Sequence, residues 1–533
     1  MTTGAPNRLQ SSRQNRPATI GSDGPREDQM ADGIEAELKV AVDSAGASRL
    51  ARLAALPGLT VTAKGDKRLV STYFDTPDLA LRDKGISLRL RRSGRSGEQT
   101  VKFSGSFSLG LAERPEFTVP HAGRVPDLSR LPDEAAVELT KLVDGRPLVP
   151  LFSMRVTRRR WEIATPGGDR IEMALDRGSA TAGSRRADIR EVEFELLAGD
   201  RRALFEVARP ALAGIPFHFS IEAKSDLGYS LLEGEVGACE PTTATDTDLD
   251  DDMSVEMALQ QVLRSCAVQI SANVAALRVG DDPEGAHQLR VGLRRLRTAL
   301  KIFAPVMAPG AAEPLADEAQ RLAGEVAAVR DLDVLIEELV APLDGGDDMA
   351  VLIALLEKRR KAARTHLATV LADRRTGDFL IDLLAFTEAR GWLSTDDVGQ
   401  SGDLAAPITP FAERVVGRLR RKVEKLGRDP EALSPDERHE LRKRFKRLRY
   451  AYDFFEPLMQ KSVRRKLLPR VKAAQDVLGV LNDIHMAHLL LDDVHAAGPK
   501  AGAVERAIGY CLGWHSARAK AIWERRSDDL SLD

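Results

Sequence analysis

Partway along this chain the hydrophobic period changes, and that change constrains the fold more than any other feature. Up to about residue 237, apolar and polar residues alternate in short runs. These are EAELKV, LVSTYFDT, ISLRLRR, EQTVKFSG, ERPEFTVP, SMRVTRRRWEIAT, RIEMALDRG, REVEFELL and HFSIEAKSD, parted by Gly, Pro and Asp. Successive side chains of a strand point to opposite faces, so each run reads as a strand with one apolar and one polar face. Many short strands joined by turns predict an antiparallel sheet or barrel. Two stretches, near SAGASRLARLAAL and DRRALFEVARPAL, read as helices within it. From Val255 onward the apolar residues follow the helical period almost throughout, so this half is expected to be all-α.

The helical half repeats itself. HQLRVGLRRLRTALKIF starts at His287 and HELRKRFKRLRYAYDFF at His439, an offset of 439 − 287 = 152 residues. AAVRDLDVL, from Ala327, and GVLNDIHMA, from Gly479, share that offset, as do Pro283 and Pro435. Two stretches in one register predict a duplicated helical unit. Between the halves, GACEPTTATDTDLDDDMS is acidic and has no large apolar periodicity, so it reads as a solvated, extended linker. The expected organisation is a disordered tail over 1–30, a first domain over 31–236, a linker over 237–254 and a helical domain over 255–527.

Composition closes several alternatives. A chain of 533 residues is too long for one core. Three cysteines, Cys239, Cys266 and Cys511, stand far apart with no CxxC. That excludes a disulfide framework and a thiolate zinc site, and predicts a cytoplasmic protein. No run approaches the roughly 18 apolar residues of a membrane span, and the N-terminus has no apolar core of a secretory signal. Neither GxGxxG nor GxxxxGK[ST] follows a strand, which sets aside those two nucleotide sites.

The polar faces of the strands are charged rather than merely hydrophilic. Glu35, Glu37 and Lys39 share one face; so do Arg89 and Arg91; so do Arg114 and Glu116; and so do Glu191, Glu193 and Glu195. Lys102 sits with Thr100, and Glu222 with Lys224. One such strand is an ordinary solvated edge. Six are better explained by a closed barrel that turns its charged faces inward. Arg and Lys in a lumen suit a polyanion. The carboxylates among them would repel phosphate unless a hard divalent cation, Mg2+ or Mn2+, lay between. Metal-assisted phosphoryl transfer to water is the chemistry this suggests.

This half resembles the CYTH superfamily, the triphosphate tunnel metalloenzymes. The residues that carry the resemblance form an ordered series. They are ExExK at Glu35, Glu37 and Lys39, YFDT from Tyr73, the LRLRR run, TVK, RxE at Arg114 and Glu116, Leu175-Asp176 before Gly178, ExE at Glu191 and Glu193, and AKSDLGY ending at Tyr229. The resemblance implies an eight-stranded antiparallel tunnel of α+β class that hydrolyses tripolyphosphate or a related triphosphate. By match, Glu35, Glu37, Glu191, Glu193 and Glu116 would be metal ligands. Lys39, Arg89, Arg91, Lys102, Arg114, Arg158 and Lys224 would hold phosphates, with Asp176 and Lys39 in catalytic roles. The sequence departs from the family's RxExE pattern at Thr118, and a catalytically weak tunnel is one consequence to be tested. Adenylate cyclase and thiamine triphosphatase activities are further alternatives that the superfamily hosts.

On a helical wheel, Leu289, Leu293, Leu296, Leu300 and Phe303 make one stripe of the first repeat. Arg290, Arg294, Arg297 and Lys301 make the adjacent stripe, with His287 at its edge. The second repeat matches it with Arg442, Lys446 and Arg449, with His439 at the edge and Asp453 where Lys301 was. Few acids interleave, so two such helices facing each other would build a basic cleft. This half resembles the CHAD domain, through both His-plus-Arg series and through RDLD and LNDIH, which contain Arg330, Asp331, Asp333, Asn482 and Asp483. The resemblance implies two duplicated four-helix units and a basic surface that binds inorganic polyphosphate, through His287, Arg290, Arg294, Arg297, Lys301, His439, Arg442, Lys446 and Arg449. Polyphosphate-granule association is a corollary. Nucleic acid is the main rival, disfavoured because no aromatic ladder accompanies the arginines.

Overall fold

The computed structural model describes residues 34–104, 106–108, 111–220, 224–234, 240–394, 397–495 and 500–530. The expectation for residues 1–30 lies outside them. Among the described residues, the first half is built on ten antiparallel strands. In chain order these are β1 (Ile34–Val42), β2 (Thr60–Asp75), β3 (Ser87–Ser93), β4 (Ser96–Lys102), β5 (Ser106–Ser108), β6 (Leu111–Pro120), β7 (Val149–Ala164), β8 (Arg170–Ala182), β9 (Arg185–Ala198) and β10 (Phe217–Phe219). The sheet runs β1-β9-β8-β7-β2-β3-β4-β6, and β6 then pairs back onto β1. Eight strands therefore close into a barrel, as the resemblance implied, with β5 and β10 appended. Strand β1 closes it because its two edges are both used. Glu37–Ala41 pair with β9, Ile34–Leu38 pair with β6, and Val40–Val42 pair with β10 beyond the end of β6.

Alternation decides which face goes where. Leu38 and Val40 of β1, Leu175 of β8, and Val192 and Phe194 of β9 are buried on the outer face, in one cluster with α1 (Ser44–Leu50) and with α3 (Arg202–Ala211). The opposite outer face, with Leu88, Leu90 and Val101, is covered by α2 (Asp133–Val143). This helix was not read from the sequence. It repeats its buried residues Ala135, Leu139 and Val143 at four-residue spacing and opens with Asp133 and Glu134 in its first turn, where the helix dipole favours acids.

A second correction concerns HFSIEAKSD. Among its described residues only Phe217–Phe219 is strand, and Lys224 belongs to a helix, α4 (Lys224–Glu233). Inside one end of the barrel, Tyr229 and Leu231 of α4 pack with Tyr73, Phe152, Met154 and Val156. A Cβ at Gly228 would strike the Phe152 ring, so only glycine lets α4 sit this close. Asp75 ties the same end together. Its carboxylate accepts from the backbone N–H of Thr76 (2.7 Å), Leu81 (2.9 Å) and Arg82 (3.0 Å) and from the Tyr229 hydroxyl (3.0 Å). The YFDT and DLGY runs are thus two halves of one clasp.

The helical half contains α5 (Val255–Val279), α6 (Pro283–Phe303), α7 (Glu313–Val334), α8 (Gly346–Ala372), α9 (Arg374–Glu388), α10 (Val398–Ala405), α11 (Ile408–Leu426), α12 (Pro435–Phe455), α13 (Lys461–Asp492) and α14 (Ala501–Arg526). The duplication is explicit. Helices α6 and α12 have the same bounds once 152 is added, and each ends in a 3-10 turn, Ala304–Val306 and Glu456–Leu458, at that offset. Helices α5 to α8 and α11 to α14 form the two quartets, with α9 and α10 between.

The acidic segment between the halves is not simply solvated. Thr247 and Leu249 are buried, Asn273 of α5 exchanges two hydrogen bonds with the backbone of Thr242, and the Thr247 hydroxyl donates to the Phe454 carbonyl (2.5 Å). The two halves also share a core: Phe205 and Phe217 of the first lie in one buried cluster with α5 and α9 of the second. Arg278 of α5 donates to the carbonyl of Phe217 and, at 2.9 Å, to that of Leu371.

Candidate functional site

The charged strand faces meet inside the barrel. Glu37 and Lys39 are 3% and 2% exposed, nearly as buried as Leu38 and Val40 on the opposite face, so this is not a solvated edge. Antiparallel register sets Lys39 of β1 beside Glu193 of β9, Glu191 beside Asp176 of β8, and Asp176 beside Arg158 of β7. From the helix end, Lys224 reaches the same spot. Its ammonium donates to Asp176 Oδ2 (2.6 Å) and Glu193 Oε1 (2.5 Å) and forms an ion pair with Glu191 Oε2 at 2.7 Å. Arg158 binds Asp176 through Nε and Nη2 (2.8 and 2.7 Å) and Glu193 through Nη2 (2.5 Å). Lys39 Nζ lies 2.6 Å from Glu37 Oε1 and 4.0 Å from Glu193 Oε1.

Burial penalises every one of these charges, and mutual neutralisation overcomes it. Against burial, Arg158, Lys224 and Lys39 hold the Glu193 carboxyl well below its ordinary value. Lys224 and Arg158 likewise lower that of Asp176. In turn Arg158 and Lys224 are held cationic against their own burial by Glu193, Asp176 and, for Lys224, Glu191.

The opposite wall carries the cations. Arg89 lies 3.6 Å from Glu116, which also pairs with Lys102; Arg91 lies 3.4 Å from the Ser71 hydroxyl and 3.5 Å from Glu98. Thr118 donates to Glu116 Oε1 (3.2 Å) and sits 3.0 Å from Thr100. Burial lowers Arg91, with Arg89 and Arg158 adding to it, to about 10. Tyr73 belongs to this wall and was missed in the sequence, where an aromatic in a strand reads as core. It pairs in register with Arg89, and although burial opposes its ionisation, Arg89 and Arg91 bring its pKa below the ordinary value. Glu35 and Arg114 face each other across β1 and β6, but their side chains lie outside the described residues.

Asp176, Glu191 and Glu193 each offer an oxygen within 4.8 Å of the others, and all three are buried. Three hard oxygen donors around a bound ammonium fit a divalent cation of the Mg2+ or Mn2+ kind.

In the helical half a cavity of about 150 Å³ lies between α6, α7, α12 and α13. His287, Arg290, Arg294, Arg330, Arg442 and Lys446 line it on the basic side; Asp331, Asn482 and Asp483 are the polar counterweight. Arg290 binds Asp331 (2.5 Å), and Arg294 Nε donates to the Tyr450 hydroxyl (2.5 Å). Burial, aided by Arg294, Arg442 and Arg290, pushes Lys446 down to about 6. Burial likewise brings Arg442 to about 10 and lowers His287. Of the nine residues expected to bind polyphosphate, Arg297, Lys301, His439 and Arg449 do not line this cavity. Arg297 reaches Gln320 (2.7 Å) and Arg449 pairs with Asp453 (2.6 Å).

Comparison with known proteins bears on both halves. The CYTH domain model matches residues 33–216, and the CHAD domain model matches residues 261–492. The chain contains a CYTH domain and a CHAD domain. The chain is 29% identical over 198 residues to the inorganic triphosphatase of Haemophilus influenzae, a match covering 37% of the chain and 54% of that protein. It thus spans about half the length of that curated relative. The crystal structure of the CHAD domain from the plant Ricinus communis aligns with 30% identity, 55% of this chain, 96% of that one and a TM-score of 0.48. HpAC1 from Hippeastrum, described as revealing a dominant triphosphatase activity, aligns with 18% identity, 37% of this chain, 95% of that one and a TM-score of 0.28. Among the described residues no helix is long and apolar enough to cross a membrane.

Proposed function

We propose that the barrel hydrolyses the terminal phosphoric anhydride of tripolyphosphate with Mg2+ or Mn2+, and that the helical half binds inorganic polyphosphate. The observation that carries this reading is the pairing, inside one closed barrel, of a buried carboxylate trio with a facing wall of Arg89, Arg91 and Lys102. A divalent ion on Asp176, Glu191 and Glu193 would neutralise phosphate oxygens and make a bound water more acidic. Arg89 and Arg91 grip the phosphates with planar forks, and Lys102 and Lys39 add point charges. Asp176 orients Arg158 through two hydrogen bonds, so that guanidinium is held in place before substrate arrives. With a divalent ion on those carboxylates, Lys224 would be free to hold a phosphate. The apolar stopper made by α4 and Phe152 keeps water out of that end. We place the protein in the cytoplasm, at polyphosphate granules where these occur.

The test is product analysis with the full chain and Mg2+ or Mn2+, using tripolyphosphate, ATP and thiamine triphosphate. Preferential release of phosphate from tripolyphosphate supports the reading. Preference for ATP or thiamine triphosphate replaces it with a nucleotide- or thiamine-directed enzyme. No turnover on any of the three, with polyphosphate still bound, makes the chain a binding protein.

A further inference from the structure

Several cations of the helical half stand outside the central cavity, yet they are not scattered. Helix α11 carries six Lys or Arg; the matching stretch of α5, residues 256–274, carries one, Arg264. A second cavity of about 480 Å³ lies between α11 and α12. Its charged lining is Lys422, Lys425, Arg444 and Arg447 against a single carboxylate, Glu440, which is already engaged by Arg444 (3.4 Å) and Lys443 (3.8 Å). Lys422, Lys425 and Arg447 are exposed and have no ion-pair partner among the described residues. Lys301 adjoins them from α6: burial and the charges of Arg447 and Arg297 depress its pKa.

The duplication shows what such a groove can hold. At the offset of 152, Lys422, Lys425 and Arg444 match Ile270, Asn273 and Gly292, all buried. In the first unit an extended stretch of this chain runs along α5 and ends on α12. Thr242 exchanges hydrogen bonds with Asn273 (3.1 and 2.8 Å), Ser265 donates to the Thr245 carbonyl (3.3 Å), and Thr247 ends the path on Phe454. The scaffold therefore accommodates an extended chain along α5, the helix that α11 repeats. In the second unit Lys422 and Lys425 are exposed at this place, Lys425 stands where Asn273 binds the segment, and Arg447 is an exposed cation where its counterpart Arg295 is buried.

We infer that the α11–α12 groove is a second phosphate-polymer track, which takes the part of a long inorganic polyphosphate that extends beyond the central cavity. The inference rests on the proposal that the helical half binds polyphosphate. Phosphate polymer is favoured over single-stranded nucleic acid because no aromatic ring lines the groove to stack a base.

Binding of a short oligophosphate and of a long polyphosphate to the full chain would be titrated at several salt concentrations. Lys422→Ala/Lys425→Ala/Arg447→Ala would be compared with the parent and with the cavity variant Arg290→Ala/Arg442→Ala. The groove variant should bind long polyphosphate about tenfold or more weakly, with a salt dependence shallower by about 2 to 3 in log–log slope, because each lost phosphate contact removes roughly one. Its affinity for the short chain should stay at the parent value, whereas the cavity variant should lose the short chain. If the groove variant matches the parent on long polyphosphate, or weakens short and long equally, the track is refuted while polyphosphate binding stands. A parent that binds neither length overturns both proposals together. Single-stranded DNA bound through the same three residues as tightly as polyphosphate would overturn the ligand class.

Discussion

Replacing Lys446 by methionine should stabilise the protein and weaken its hold on polyphosphate. Lys446 lies in the central cavity with Arg290, Arg294 and Arg442, and burial, aided by those three charges, pushes its pKa from 10.5 down to about 6. The unfolded chain keeps the ordinary value, so between these two limits the unfolded state binds more protons. The penalty on the native state is full below pH 6 and fades as pH rises to 10.5. At pH 7 the gap to 10.5 is about 3.5 pH units, which at ~1.4 kcal/mol per unit sets a ceiling near 5 kcal/mol. Water entering an open cavity reduces this to about 2–3 kcal/mol. Urea unfolding of parent and Lys446→Met at pH 6, 8 and 10 should show a gain that shrinks as pH rises. In calorimetry with buffers of different ionisation heat, parent binding of polyphosphate at pH 8 should take up a proton, and the variant should not. A variant no more stable than the parent at pH 6, or a gain independent of pH, would refute the reasoning.

Three further predictions follow from the barrel. Gly228→Ala pushes α4 away from Phe152 and should cost about 1–3 kcal/mol of stability, read as a lowered unfolding midpoint, because overpacking a filled site strains its neighbours. Glu195 is pushed up to about 7 by burial, with Glu37 and Glu172 adding to it. Its folded-state cost is therefore absent below the ordinary carboxyl range and full above pH 7, so Glu195→Gln should stabilise metal-free protein at pH 8 and leave it unchanged at pH 4. Tyr73→Phe keeps the ring stacked on Phe152 (4.7 Å) but removes the hydroxyl beside Arg89; it should raise KM for tripolyphosphate about tenfold, as expected for one hydrogen bond to a charged group, and leave the melting temperature near the parent value.

How much of this was legible in the sequence depends on how local the signal is. The eight barrel strands were, because alternation is written into each run, and so was the duplicated unit, because α6 and α12 keep one register. Lys224 was placed with the tunnel residues but on the wrong element. IEAKS alternates like a strand, and nothing within five residues reveals that the chain turns into α4 there. Helix α2 carried a usable signal, Asp133 and Glu134 followed by apolar residues four apart, but it is short and sits between strands. Tyr73 shows the limit of residue-type reasoning, since its role comes from facing Arg89 across two paired strands. The acidic segment looked solvated by composition, and only the fold shows Thr247 and Leu249 buried. Likewise the nine basic residues of the two repeats read as one surface, whereas packing divides them between a cavity and its surroundings.

The central claim is that the buried carboxylates inside the barrel hold the ion that meets a triphosphate. It is tested most directly by phosphate release from tripolyphosphate by the full chain, with and without Mg2+ or Mn2+, for the parent and for Glu193→Gln. Turnover that requires the ion in the parent and falls by orders of magnitude in a variant that still folds and still binds polyphosphate is the predicted result. Turnover that persists without the ion, or that survives in Glu193→Gln, would contradict the account.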